Sequence, residues 1–187
     1  MSSRMINFDK QLKGLSVLKA ETACRQGKVA DVAIDPAHGT VSGLLLITPE
    51  NEELFLPMSD GVVYKETFLL NQSSVPRYLF PIASEEGHNA TERLPPMLRV
   101  MTDLLGASIV TEKGNLLGNI TEVYLDPRDW QAFYRVTSSW WQRWLGGGLY
   151  LPANISTRWS QTTGRLIVPA DTKEHRTVRP QAKNAAA

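Results

Sequence analysis

Apolar residues along this chain gather into short runs of strand length, each closed by a cluster of Gly, Pro, Asn, Asp or Ser. The first half carries such runs at Leu15 to Leu18, Lys28 to Ile34, Thr40 to Thr48, Glu53 to Leu56 and Tyr64 to Leu70. The second half carries them at Ala107 to Val110, Asn119 to Leu125, Gln131 to Ser138, Gly148 to Leu151 and Arg165 to Val168. Short runs bounded by turn residues predict β-strands joined by hairpins. Between Ile34 and Thr40 the turn is Asp35-Pro36-Ala37-His38-Gly39. The Asp carboxylate accepts a bond from a backbone N–H ahead of it, Pro presets φ, and Gly tolerates φ > 0.

The two halves say nearly the same thing. Gly27-Lys28-Val29-Ala30-Asp31-Val32-Ala33-Ile34-Asp35-Pro36 returns 91 positions later as Gly118-Asn119-Ile120-Thr121-Glu122-Val123-Tyr124-Leu125-Asp126-Pro127. Leu54-Phe55-Leu56-Pro57 returns 95 positions later as Leu149-Tyr150-Leu151-Pro152. A repeat of roughly 90 residues has the size of a small domain rather than of a solenoid unit. Within it the apolar alternation breaks at one place: Val29, Val32 and Ile34 are separated by an odd step, and Ile120, Val123 and Leu125 break alike. Side chains alternate between faces of a strand. A bulge near Ala30-Asp31 and Thr121-Glu122 would return all six to one face.

This pattern predicts an all-β protein: residues 1–80 form a first domain and 103–172 a second, each a small, mostly antiparallel barrel. Residues 81–102 read as a linker. Thr91 caps a short helix there, with Met97, Leu98, Met101, Leu104 and Leu105 at helical spacing. Residues 173–187 read as a flexible tail. In the second turn Trp130 stands where the first has Gly39, which predicts a hairpin of different shape.

The Gly-x-Val/Ile-x-Asp/Glu-Val-x-Ile/Leu-Asp-Pro element, with a preceding strand from Gly14 or Gly106 and a following strand ending in Leu-Pro, resembles the PRC-barrel family. The resemblance covers roughly residues 12–80 and 103–172. It implies two tandem barrels related to the cytoplasmic domain of the photosynthetic reaction centre H subunit. The C-terminal domain of a ribosome maturation factor belongs to the same family. The reaction-centre subunit sets a membrane-spanning helix before its barrel, and no apolar run here approaches the ~20 residues needed. The ribosome factor pairs its barrel with one of another kind, whereas both halves here follow the PRC pattern.

Composition narrows the function classes. A net charge of +1 over 187 residues argues against a nucleic-acid footprint. The opening residues lack the apolar core of a secretory signal, and a single cysteine, Cys24, rules out an internal disulfide, so a cytoplasmic protein is expected. Candidate chemistry is sparse. His38, His88 and His175 share no ligand spacing, and no Cys-x-x-Cys is present, so neither a metal nor a cofactor is expected. Asp35 and Asp126, with Gly27, Pro36, Gly39, Gly118 and Pro127, read as a structural turn motif rather than a catalytic pair. Gly146-Gly147-Gly148 lacks the Lys-Ser/Thr and following helix of a phosphate loop.

One segment stands apart. Where the second copy is four residues longer it carries Trp140, Trp141, Arg143, Trp144 and Leu145. Trp and Arg are enriched where proteins bind each other, and clustered Trp also suits a membrane interface; the alternative is a long loop that folds its aromatics over the partner domain. The expected function is therefore a non-enzymatic adaptor with a protein partner. One rival is a peripheral membrane or photosynthetic-complex assembly component at the cytoplasmic face, with Arg143 near anionic headgroups. The other is an RNA- or ribosome-associated factor, for which Arg158, Arg165, Lys173, Arg176 and Arg179 supply local positive charge.

Overall fold

The computed structural model describes residues 5–64, 67–70, 94, 98–138, 148–155, 158–160 and 162–172. The chain is all-β, built on two sheets of seven strands. The first follows the order β5(Glu53–Pro57), β4(Thr40–Ile47), β3(Arg25–Asp35), β2(Ser16–Lys19), β7(Thr67–Leu70), β6(Gly61–Tyr64). The second repeats it as β12(Leu149–Pro152), β11(Ala132–Thr137), β10(Leu116–Leu125), β9(Ser108–Thr111), β14(Arg165–Val168), β13(Arg158–Ser160). Within each, β2 with β7 and β9 with β14 run parallel, and every other named neighbour is antiparallel. Tyr64 to Leu70, expected as one strand, divides between β6 and β7, which pair with each other.

The long strands β3 and β10 change register between Val29 and Asp31 and between Ile120 and Glu122. These are the two places where the apolar alternation breaks. The extra residue turns Val29, Val32 and Ile34, and likewise Ile120, Val123 and Leu125, into the core, where none is more than 2% exposed. Bulges at the same point in both long strands bend each sheet in a barrel-like manner. Gly27 and Gly118 precede the bulges because a Cβ there would stand 2.5 Å from the carbonyl oxygen of Ile47 or Thr137 on the neighbouring strand.

The sheets do not follow the halves of the chain. The seventh strand of the second sheet is β1(Ile6–Asn7), and that of the first sheet is β8(Arg99–Val100). Ile6 and Asn7 pair with Leu125 and Tyr124, while Arg99 and Val100 pair with Ile34 and Ala33. Since Tyr124 and Leu125 occupy in the second repeat the places of Ala33 and Ile34 in the first, the exchange is reciprocal. Each arm then makes one helical turn. Phe8–Leu12 is a π-turn closed by the Lys13 N–H on the Phe8 carbonyl, and α1(Met101–Leu104) closes with the Leu105 N–H on Met101. Phe8, Leu12, Met101 and Leu104 are all fully buried in a core continuous through both sheets. In the described part of the helix expected from Thr91 to Leu105, Arg99–Val100 is a strand and only Met101–Leu104 is helical, because backbone pairing with β3 takes Arg99 and Val100 into extended conformation. Thr91 itself lies outside the described residues.

Candidate interaction site

The turn motif has the same geometry in both copies. Asp35 Oδ1 accepts the Ala37 N–H at 2.9 Å and Asp126 Oδ1 accepts the Arg128 N–H at 3.0 Å. The Gly39 N–H reaches the Asp35 carbonyl at 2.7 Å, and the Trp130 N–H reaches the Asp126 carbonyl at 2.8 Å. Gly39 and Trp130 both hold positive φ, 68° and 57°. The hairpins therefore do not differ in shape, contrary to expectation. A left-handed non-glycine residue costs about 1–2 kcal/mol. Half-burial of the Trp130 ring against the core offsets it. Pro36 and Pro127 follow their Asp as the turn requires. Burial raises the Asp35 carboxyl, but bonds from His38 and the Ala37 and His38 backbone outweigh it and leave its pKa below the usual value. At Asp126 the Arg128 guanidinium is the dominant influence and lowers it as well. Each carboxylate is occupied holding its own turn.

Among the described residues the densest polar cluster lies elsewhere, around Glu122. In register Glu122 faces Arg135 across β10 and β11, and its Oε2 accepts Arg135 Nη1 at 2.8 Å and the Tyr124 hydroxyl at 2.7 Å. Its Oε1 meets Lys10 Nζ, from the exchanged arm, at 3.3 Å. Burial works to raise the Glu122 carboxyl, and these three bonds reverse the sign, so its pKa falls below that of an ordinary glutamate. Burial and the adjoining carboxylate push the Tyr124 hydroxyl up to about 12. The Tyr124 ring also tilts against Tyr150 with centroids 6.0 Å apart.

This cluster lines a cleft of about 930 Å³ between the arm and the second sheet, with Asp9, Lys10, Thr121, Glu122, Arg135 and Ser138 among its walls. In the first repeat Asp31 occupies the place of Glu122 and Leu45 that of Arg135. Asp31 instead accepts the Val32 N–H at 2.7 Å and the Thr102 N–H of α1 at 3.3 Å. Among the described residues, Asp31 makes no ion pair matching that of Glu122.

Trp140, Trp141, Arg143, Trp144 and Leu145 lie outside the described residues. The residues that bracket the insertion are described. Ser138 forms part of the cleft wall, and a Cβ on Gly148 would stand 3.3 Å from Arg135 Cγ. Ser42 is an extra residue at a bulge in β4 with no counterpart in β11, so the insertion is one residue longer than the sequence spacing implies. Cys24 is exposed in the turn between β2 and β3, and His38 is held by Asp35 at 2.7 Å. His88 and His175 lie outside the described residues.

Sequence reasoning missed the Glu122 cluster. Its one available signal was Arg135, a charge inside the apolar run Ala132 to Val136. The exchanged arms carried no comparable signal, since two-residue strands have no periodicity. No protein-family model matches the chain, and no curated protein matches it in sequence. Among the described residues no helix is long and apolar enough to cross a membrane.

Proposed function

We propose that this chain is a non-enzymatic, cytoplasmic adaptor of two PRC-barrel domains. It grips a protein partner through the insertion that carries Trp140, Trp141, Arg143, Trp144 and Leu145. The observation that supports this reading is the placement of Ser138 and Gly148. The residue before the insertion, Ser138, lines the Glu122–Arg135 cleft, and the residue after it, Gly148, stands beside Arg135, so the insertion leaves and rejoins the second sheet at a polar, concave surface. Aromatic anchors beside satisfied polar groups are the usual anatomy of a binding hot spot. Glu122 suits recognition better than acid–base chemistry. Three donors engage its carboxylate, and its pKa is moved away from neutrality. The reciprocal arms tie both sheets into one core, which supplies the rigid support a recognition surface requires.

The test compares the intact chain with a Trp140→Ser, Trp141→Ser, Trp144→Ser variant. A partner captured by the intact chain and lost by the variant, with both showing the same circular dichroism, is the expected result. Flotation with anionic liposomes that disappears in the variant, with no protein partner affected, would replace this reading by the membrane one. RNA recovered with both proteins would favour the ribosome-associated reading. Unfolding of the variant would mean that the rings pack inward, and would remove the insertion as the contact surface.

A further inference from the structure

The first sheet bears a groove at the same position as the Glu122 cleft of the second. Lys13, Gly14, Lys28, Val29, Ala30 and Ile47 line it, as Leu105, Gly106, Asn119, Ile120, Thr121 and Thr137 line its counterpart. The backbone is conserved between the two. The Gly14 N–H donates to the Val29 carbonyl at 2.7 Å, and the Gly106 N–H donates to Ile120 at 2.8 Å. The side chains have diverged. Lys13, Arg25 and Lys28 ring the first groove, while the matching positions of the second repeat hold Leu105, Leu116 and Asn119. In the second repeat Glu122 neutralises the nearby cations. No acid lines the first groove, and among the described residues none of Lys13, Arg25 and Lys28 makes an ion pair. Glu50 and Glu52 of the following turn, and Glu53 of β5, the cross-strand partner of Ile47, are not part of its wall.

We propose that this groove binds an acidic peptide segment of a partner protein, an apolar side chain of the peptide seating on Ala30 and Ile47 while its carboxylates meet Lys13, Arg25 and Lys28. Three observations favour that occupant. The volume of about 540 Å³ lies within the range of ~300–1,000 Å³ typical of built ligand sites. The floor is aliphatic, and Ile47 is 40% exposed, an apolar surface that a bound side chain would cover. The rim carries one sign of charge, which complements carboxylates and steers them in. Single-stranded nucleic acid would call for aromatic stacking platforms, and no aromatic residue lines the groove. A lipid surface would meet a convex face rather than a concave one.

The site lies on the repeat opposite the tryptophan insertion, and it stands or falls independently of it. The experiment measures anisotropy of a fluorescein-labelled octapeptide of alternating Glu and Leu against the intact chain. Binding is expected to weaken with added salt and to drop about tenfold or more in the Lys13→Glu, Arg25→Glu, Lys28→Glu variant. All three residues are exposed, so the fold should survive, and a triple Gln variant serves if the Glu one does not fold. Leu116→Glu, at the 62% exposed position of the second repeat that matches Arg25, should leave affinity unchanged. Equal binding by the rim variant, absence of binding by the intact chain, or rim-dependent binding of oligo(dT) or phosphatidylserine vesicles in place of the peptide would overturn the proposal.

Discussion

Thr40 and Gln131 face each other in an isolated antiparallel bridge, and they are equivalent residues of the two repeats. On one side the Val41 N–H donates to the Trp130 carbonyl at 3.1 Å, and on the other the Ala132 N–H donates to Gly39 at 2.8 Å. Each bond is the image of the other, so the pair marks a local pseudo-two-fold axis between the sheets. The Gln131 amide adds a bond to the Gly39 carbonyl at 2.8 Å.

Gly39 is therefore fixed by both halves at once. A Cβ there would collide with the Asn154 backbone N–H and lie 2.5 Å from the Ala153 carbonyl carbon, both in the second repeat. Gly39→Ala should cost about 2–3 kcal/mol through positive φ plus the clash. Gly14, with φ +82° and open space around it, is the control. Gly14→Ala should cost about 1–2 kcal/mol, the backbone penalty alone. Urea unfolding of both variants measures the difference. Equal losses would mean that the halves do not meet closely at Gly39.

The exchanged arms make a prediction that sequence proximity would get wrong. The π-turn bearing Phe8 lies against β10, and α1 lies against β3. Phe8→Ala should cost about 3–5 kcal/mol, and Met101→Ala about 2–5 kcal/mol, since both side chains are fully buried. Native-state hydrogen exchange locates the damage. Phe8→Ala should speed exchange at Tyr124 and Leu125, some 115 residues away in sequence. Met101→Ala should do so at Ala33 and Ile34. The opposite assignment would show that each arm belongs to its own half.

That pairing also shows where reading residues in order stops working. The strands and both bulges could be read from Val29, Val32, Ile34 and their counterparts, because burial on one face of a sheet enforces a period on side chains. The partner of Ile6 could not, since a two-residue strand carries no period and pairing is settled by tertiary contacts. Trp130 misled for a related reason: left-handed backbone favours Gly locally, and packing of a large ring overrides that preference. Of the polar cleft, only Arg135 stood out of an apolar run. That Lys10 would join it followed from the exchange of arms, which no local pattern records.

Tyr134 is fully buried, and its hydroxyl has no hydrogen-bond partner among the described residues. Burial raises its pKa strongly, with the charge on Asp35 adding to the effect. An unpaired buried hydroxyl costs about 1–3 kcal/mol relative to the apolar isostere. The matching residue of the first repeat is Leu44, equally buried, so that position accepts an apolar side chain. Tyr134→Phe should leave stability unchanged or raise it by about 1 kcal/mol, read as the urea midpoint. A loss above that size would mean that the hydroxyl carries an interaction of its own.

Glu122 ties stability to pH with a definite sign. Its folded pKa lies below the unfolded value because the bonds from Arg135, Tyr124 and Lys10 outweigh burial. The stabilisation is therefore complete above the ordinary glutamate range and disappears as pH falls through the lowered folded value. Asp35 and Asp126 act in the same direction. Asp103 opposes them: burial and then the charge on Asp31 raise its pKa, so it destabilises the folded state near neutrality. At pH 7 Glu122→Gln should cost about 1–3 kcal/mol, since it removes the carboxylate charge that faces the buried Arg135. Lys10→Ala should cost no more than about 0.5 kcal/mol, because that partner is 70% exposed and screened by solvent. Urea unfolding of the intact chain and of Glu122→Gln should converge as pH is lowered below the carboxylate range. A gap that stays constant with pH would show that the substitution acts through packing rather than charge.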